Sequence, residues 1–93
     1  MLQEMPVMSS GGGGGTPTVD TFTVTTTWYD TGIKVSDVSV ISVQDNDNDH
    51  GVWYVNNGTL TTFFERYMYG QVGSNGNFEV KGTSSRPASI LYL

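Results

Sequence analysis

The chain has 93 residues, no cysteine, and nine Asp and Glu against four Lys and Arg, for a formal net charge of -5. That length suits one small domain, the missing cysteines exclude disulfides and thiolate zinc sites, and so small a body draws on oligomerisation or docking for support instead. Lys34, Arg66, Lys81 and Arg86 are scattered, which argues against direct nucleic-acid binding, since that needs clustered cations to displace counterions, and no apolar run approaches the ~18 residues of a membrane span.

The N-terminal stretch reads MLQEMPVMSSGGGGGTPTVD. It has no basic n-region, carries Glu4 and is broken by Pro6, so no signal peptide is expected. A phosphate loop needs a lysine and a Ser or Thr after its last glycine, opening a helix; here Gly15 is followed by Thr16 and Pro17. The expectation is therefore an extended Gly/Ser-rich arm over residues 1–18 and a single β domain over residues 19–93. Met5, Val7 and Met8 are the expected adhesive end of the arm, because methionine adapts to irregular apolar surfaces.

From Val19 onward Thr, Val and aromatic residues dominate, and no window carries a 3.6-residue period. In VDTFTVTTTWYD, Phe22, Val24, Thr26 and Trp28 alternate with Thr21, Thr23, Thr25 and Thr27, which predicts one buried and one hydroxyl-bearing face. The DTG at 30–32 predicts a turn. In IKVSDVSVISVQ the apolar phase slips twice; a bend near Ser36 and Asp37 accounts for the first slip, and burial on both faces for the second. GVWYV is apolar on both faces and is expected to lie centrally.

Asn57-Gly58 predicts a two-residue hairpin loop, which sets Val55 opposite Leu60, Trp53 opposite Thr62 and Val52 facing Phe63. The strand TLTTFFERYMYGQV is expected to bend at Gly70. Asn75-Gly76 predicts a second hairpin with Phe78 opposite Gly73. RPASILYL is the last strand, and its apolar end (Ile90, Leu91, Tyr92, Leu93) is expected to be sealed into the sheet or a neighbour. The fold class is all-β: a small antiparallel sandwich or partly open barrel of about six strands.

Four groups are candidates for chemistry. Asp45, Asp47 and Asp49 alternate as the oxygen ligands of a calcium loop do, but His50 and Asn56 stand where an EF-hand needs Gly and Glu, and strands flank the run. A looser calcium site, or a solvated turn, remains. His50, the single histidine, would have to serve any Ser/Thr nucleophile, and no G-x-S-x-G stretch accompanies it. Carboxylate pairing of Asp30 with Glu65 or Glu79 would need a cleft that a body this small has little room for, so no catalysis is expected. Tyr29, Tyr54 and Tyr69 are candidates for stacking on sugar rings. Leu91 and Leu93 join the arm's apolar residues as expected partner contacts. Asn57-Gly58-Thr59 matches a glycosylation sequon, for which the turn is the better account.

The opening MPVMSSGGGGG, followed by Thr- and Gly-rich strands without cysteine, resembles small structural proteins of tailed bacteriophages and prophages, which decorate capsids or build tail, baseplate and fibre parts. The resemblance is one of style over the whole chain and carries no diagnostic motif. It implies a non-enzymatic virion protein, made in the host cytoplasm, that docks through its N-terminal arm on copies of itself or other virion proteins. A carbohydrate- or receptor-binding β module on host glycan, calcium-assisted, is the alternative. No other cofactor is expected.

Overall fold

A computed structural model describes residues 16–93, and the arm residues Met5, Val7 and Met8 lie outside the described residues. The architecture is an antiparallel β-sandwich of eight strands in two sheets. The strands are β1 (Thr18–Val24), β2 (Tyr29–Lys34), β3 (Val40–Asp45), β4 (His50–Asn56), β5 (Thr59–Arg66), β6 (Met68–Val72), β7 (Asn77–Gly82) and β8 (Arg86–Tyr92). The large sheet has the order β1-β8-β3-β4-β5 and the small sheet β2-β7-β6. A single 3₁₀ turn, Val35–Asp37, joins β2 to β3.

The inner faces close on one core of Val24, Ile33, Val35, Ile41, Val43, Trp53, Met68, Phe78, Val80, Ala88 and Ile90. Trp53 and Phe78, each 0% exposed, are its largest members, with ring centroids 4.9 Å apart. The chain fills this core by changing sheets four times: over residues 25–28, at the 3₁₀ turn, at Tyr67, and over residues 83–85.

Several expectations hold in register. Val55 pairs with Leu60 and Trp53 with Thr62, around Asn57 and Gly58 at φ 54° and 77°. Val40, Ile41, Ser42 and Val43 are all buried, so the second phase slip is burial on both faces. The C-terminal strand β8 lies between β1 and β3, the interior position its apolar residues require.

Other expectations are corrected. Eight strands replace six because two long runs split. The first ends at Val24, where Thr25 accepts the Gly82 N–H and the chain crosses to the small sheet. The second breaks at Tyr67 (φ 55°), not at Gly70. Asp30-Thr31-Gly32 lies within β2 as an irregularity rather than a turn: Gly32 takes φ 74°, and the register jumps between the Asp30/Glu79 and Lys34/Asn77 pairs. In the second hairpin Gly73 accepts from Gly76 N–H and donates to Asn77 O, so Phe78 pairs with Val72 instead of Gly73. The bare backbone that Phe78 covers is Gly70, where a Cβ would sit 2.7 Å from both the Phe78 and Trp53 rings.

Candidate functional site

Residues opposite one another in antiparallel register share a face. On the outer face of the large sheet this rule strings Val19, Leu91, Ser42, Val52 and Phe64 into one row across all five strands. The next row, toward the start of β1 and β3, holds Val40, Tyr54 and Thr61. Leu93 joins it, its N–H donating to Val40 O and its carbonyl accepting from Ser39 and Val40 N–H. Val40, Val52 and Leu91 are buried and form a second apolar cluster with Tyr54 and Leu93 packed against it.

A bulge completes the patch. Val52 pairs with Phe64 but Trp53 pairs with Thr62, so Phe63 is the extra residue in β5. Both phenylalanines then reach the outer face. Phe63 meets Tyr54 edge-on with centroids 5.4 Å apart, and Phe64 stacks on His50 at 5.0 Å. They remain 68% and 42% exposed, and Val19 at the opposite edge is 55% exposed. No strand or helix of the described residues forms a layer over this face. The placement of Val52 facing Phe63 is thus corrected by one residue, and the bulge brings a second phenylalanine to the face.

The other candidates disperse. Asp45, Asp47 and Asp49 share one turn, but their oxygens are turned to local work. Asp45 Oδ1 accepts the N–H of Asp47 (2.8 Å) and of Asp49 (3.0 Å), and Asp47 Oδ2 lies 3.6 Å from Arg86. Among the described residues no group of three His, Cys, Asp or Glu side chains is placed to hold a metal ion. In this structure the Asp45 carboxylate caps its own turn.

Tyr29, Tyr54 and Tyr69 fall on three different surfaces. Tyr29 stacks on Phe22 at 4.9 Å across the seam between the sheets. Tyr54 stands on the outer face of the large sheet, and Tyr69 pairs with Lys81 on the outer face of the small one. None of the three lines the surface depression of about 520 Å³ beside Thr21, Gln44, Asn46 and Pro87. Leu91 and Leu93, by contrast, both belong to the apolar face.

The carboxylates considered for acid–base work are each engaged. Glu65 Oε2 accepts the Trp53 indole N–H and the Gly70 N–H, and Glu79 accepts from Gln71. Asp30 Oδ1 accepts the Gly32 N–H and Asn77 Nδ2, and its Oδ2 accepts Asn75 Nδ2. The Gly32 backbone bond, then the two asparagine amides, hold the Asp30 carboxyl below its ordinary value. A lowered folded-state value means that the stabilisation is present above the ordinary carboxylate range and is lost as pH falls through the lowered one. Asp30→Asn is therefore expected to melt below the parent at neutral pH and to converge with it in acid, measured as paired thermal midpoints down a pH series. A gap that stays constant into acid contradicts this assignment.

Fold and site together define the chain as a two-sheet antiparallel β-sandwich with an apolar, aromatic outer face. No protein-family model, curated protein or solved structure matches it. Among the described residues no helix is long and apolar enough to cross a membrane.

Proposed function

We propose that this chain is a non-enzymatic structural subunit, of the kind that decorates a phage capsid or builds a tail, baseplate or fibre, and that it joins a second copy of itself through the outer face of the large sheet. The observation that supports this reading is the outer face of the large sheet, where Phe63 and Phe64 stand 68% and 42% exposed beside the buried apolar cluster of Val40, Val52 and Leu91. Contiguous apolar surface rimmed by polar residues marks contact sites, and exposed aromatic anchors dominate interface energetics. The polar rim is present here as Thr21, Ser89, Gln44 and His50 in the row beyond. The virion setting comes from the resemblance in style and is the broader part of the proposal. A glycan-binding role has less behind it, because its three tyrosines share no surface.

Association of the full chain tests this. Sedimentation over a concentration series is expected to show a discrete oligomer forming, and Phe63→Ser with Phe64→Ser is expected to abolish it while far-ultraviolet dichroism stays unchanged. Both side chains are exposed, so the substitutions spare the core. A full chain that remains monomeric throughout, like the double variant, would count against the face as a contact between copies.

A further inference from the structure

Four strands stand at the edges of the two sheets: β1 and β5 in the large one, β2 and β6 in the small one. An edge strand leaves alternate N–H and C=O groups without a ladder partner, and proteins blunt such edges with bulges, irregular register, lysine or short length. Three of the four are blunted here. β5 carries the bulge at Phe63. β2 jumps register around Gly32 and holds Lys34. β6 is five residues long with Gly70 at its centre.

β1 carries none of these devices. It pairs with β8 at every residue from Thr18 to Val24, with no shift of register. It has no proline, lysine or arginine, and most of its residues are exposed. No strand lies along its other side among the described residues. Its single charge is Asp20, on the inner side opposite Ile90, and that charge selects a register rather than closing the edge. In a two-fold antiparallel pair of two β1 strands, centring on Asp20 sets carboxylate against carboxylate, which is unfavourable. Centring on Phe22 leaves Thr18 and Val19 with no strand partner. Centring on Thr21 pairs the whole strand: Thr18 with Val24, Val19 with Thr23, Asp20 with Phe22, and Thr21 with its own copy. Outer side chains then meet outer side chains, so the two large sheets join as one.

We propose that β1 of one copy pairs antiparallel with β1 of a second copy about a two-fold axis at Thr21, joining their large sheets edge to edge. This goes beyond the outer-face contact and rests on it. A single two-stranded pairing is marginal by itself in water, so lone subunits do not hold together by it. An oligomer joined through the outer face presents more than one β1, and the linked contacts reinforce one another. Two different two-fold contacts on one subunit repeat from copy to copy, so the edge extends the discrete oligomer into a larger assembly.

Sedimentation of the full chain, above the concentration at which the discrete oligomer forms, tests the edge with like charges. Thr21 is exposed, and in this pairing it lies opposite itself. Thr21→Lys alone and Thr21→Glu alone are expected to keep the discrete oligomer and lose the larger species. An equimolar mixture of the two is expected to regain it. Lysine lessens the net charge of -5, so general repulsion predicts the opposite for that variant. The same charges at Ser84, in the exposed connection between β7 and β8, should leave both species unchanged. A discrete oligomer from the parent with no larger species overturns the edge pairing and leaves the face as the contact. So does a larger species that survives either charge at Thr21, that the mixture fails to restore, or that charges at Ser84 remove equally. No oligomer of any size overturns the reading of the face and this proposal together.

Discussion

Trp53→Ala is expected to remove about 3–5 kcal/mol of stability, against the order of 4–12 kcal/mol that a body of this size holds. The indole is fully buried, and three features are built around it. Phe78 tilts against it at 57° from the other sheet. Gly51, directly across from Val43 on the inner face, and Gly70 leave the space it fills, since a Cβ at either would run into the ring. Its N–H is bonded to Glu65 at 2.9 Å. Alanine would leave a cavity between two sheets that three short connections and a 3₁₀ turn hold together, and neighbours fixed on strands collapse into it poorly. Denaturant titration followed by far-ultraviolet dichroism measures the loss. A decrease of under ~1 kcal/mol, the lower end of what single substitutions cost, would mean that the two-sheet core does not depend on this ring.

How far this molecule was legible depended on whether the cause of each feature is local. The Asn57-Gly58 hairpin was readable because positive φ has a residue signature, and it carried the Val55/Leu60 and Trp53/Thr62 pairs with it. Of the set Phe22, Val24, Thr26 and Trp28 read onto one buried face, Phe22 and Val24 do turn inward while Thr26 and Trp28, past the end of β1, are exposed; the two-sided burial of Val40 to Val43 was readable from the pattern. Tyr67 was not. The obvious breaker nearby is Gly70, but the corner falls where Met68 must turn into the core while Arg66 stays outside, and Tyr67 takes the left-handed backbone to do it. Gly70 is there for space, not for bending. The bulge at Phe63 has no local signature either, since it answers a mismatch between β4 and β5. So the feature that brings both phenylalanines to the outer face was invisible, although Leu91 and Leu93 lie in the apolar cluster on that same face. The aspartates are ambiguous for a related reason: alternating carboxylates suit a cation and also suit their own turn's N–H groups, which Asp45 accepts here.

Glu65→Ala is expected to cost about 2–6 kcal/mol, from two inward donors left without their acceptor at roughly 1–3 kcal/mol each. Glu65 pairs with Gly51 on the inner side of β5, so its carboxylate enters the gap between the sheets. One oxygen, Oε2, accepts from Trp53 of the large sheet and, at 3.1 Å, from the Gly70 backbone of the small sheet. It is a polar clasp between layers whose shared core is apolar, and it sits just before Tyr67, where the chain itself crosses over. Bonds to a charged acceptor are stronger than those between neutral groups, yet the larger part of the expected loss is the stranding of the donors. That distinction is measurable. Glu65→Gln keeps an acceptor oxygen at nearly the same length and loses the charge, so it is expected to cost less than half as much as alanine. Tryptophan fluorescence reports the same contact: Glu65→Ala should shift the emission of Trp53 while the protein is still folded, and Glu65→Gln should leave it close to the parent's. If glutamine proves as damaging as alanine, the charge rather than the acceptor holds the sheets together at this corner. If neither substitution lowers the unfolding midpoint, the clasp contributes nothing, and apolar packing alone joins β6 to the large sheet.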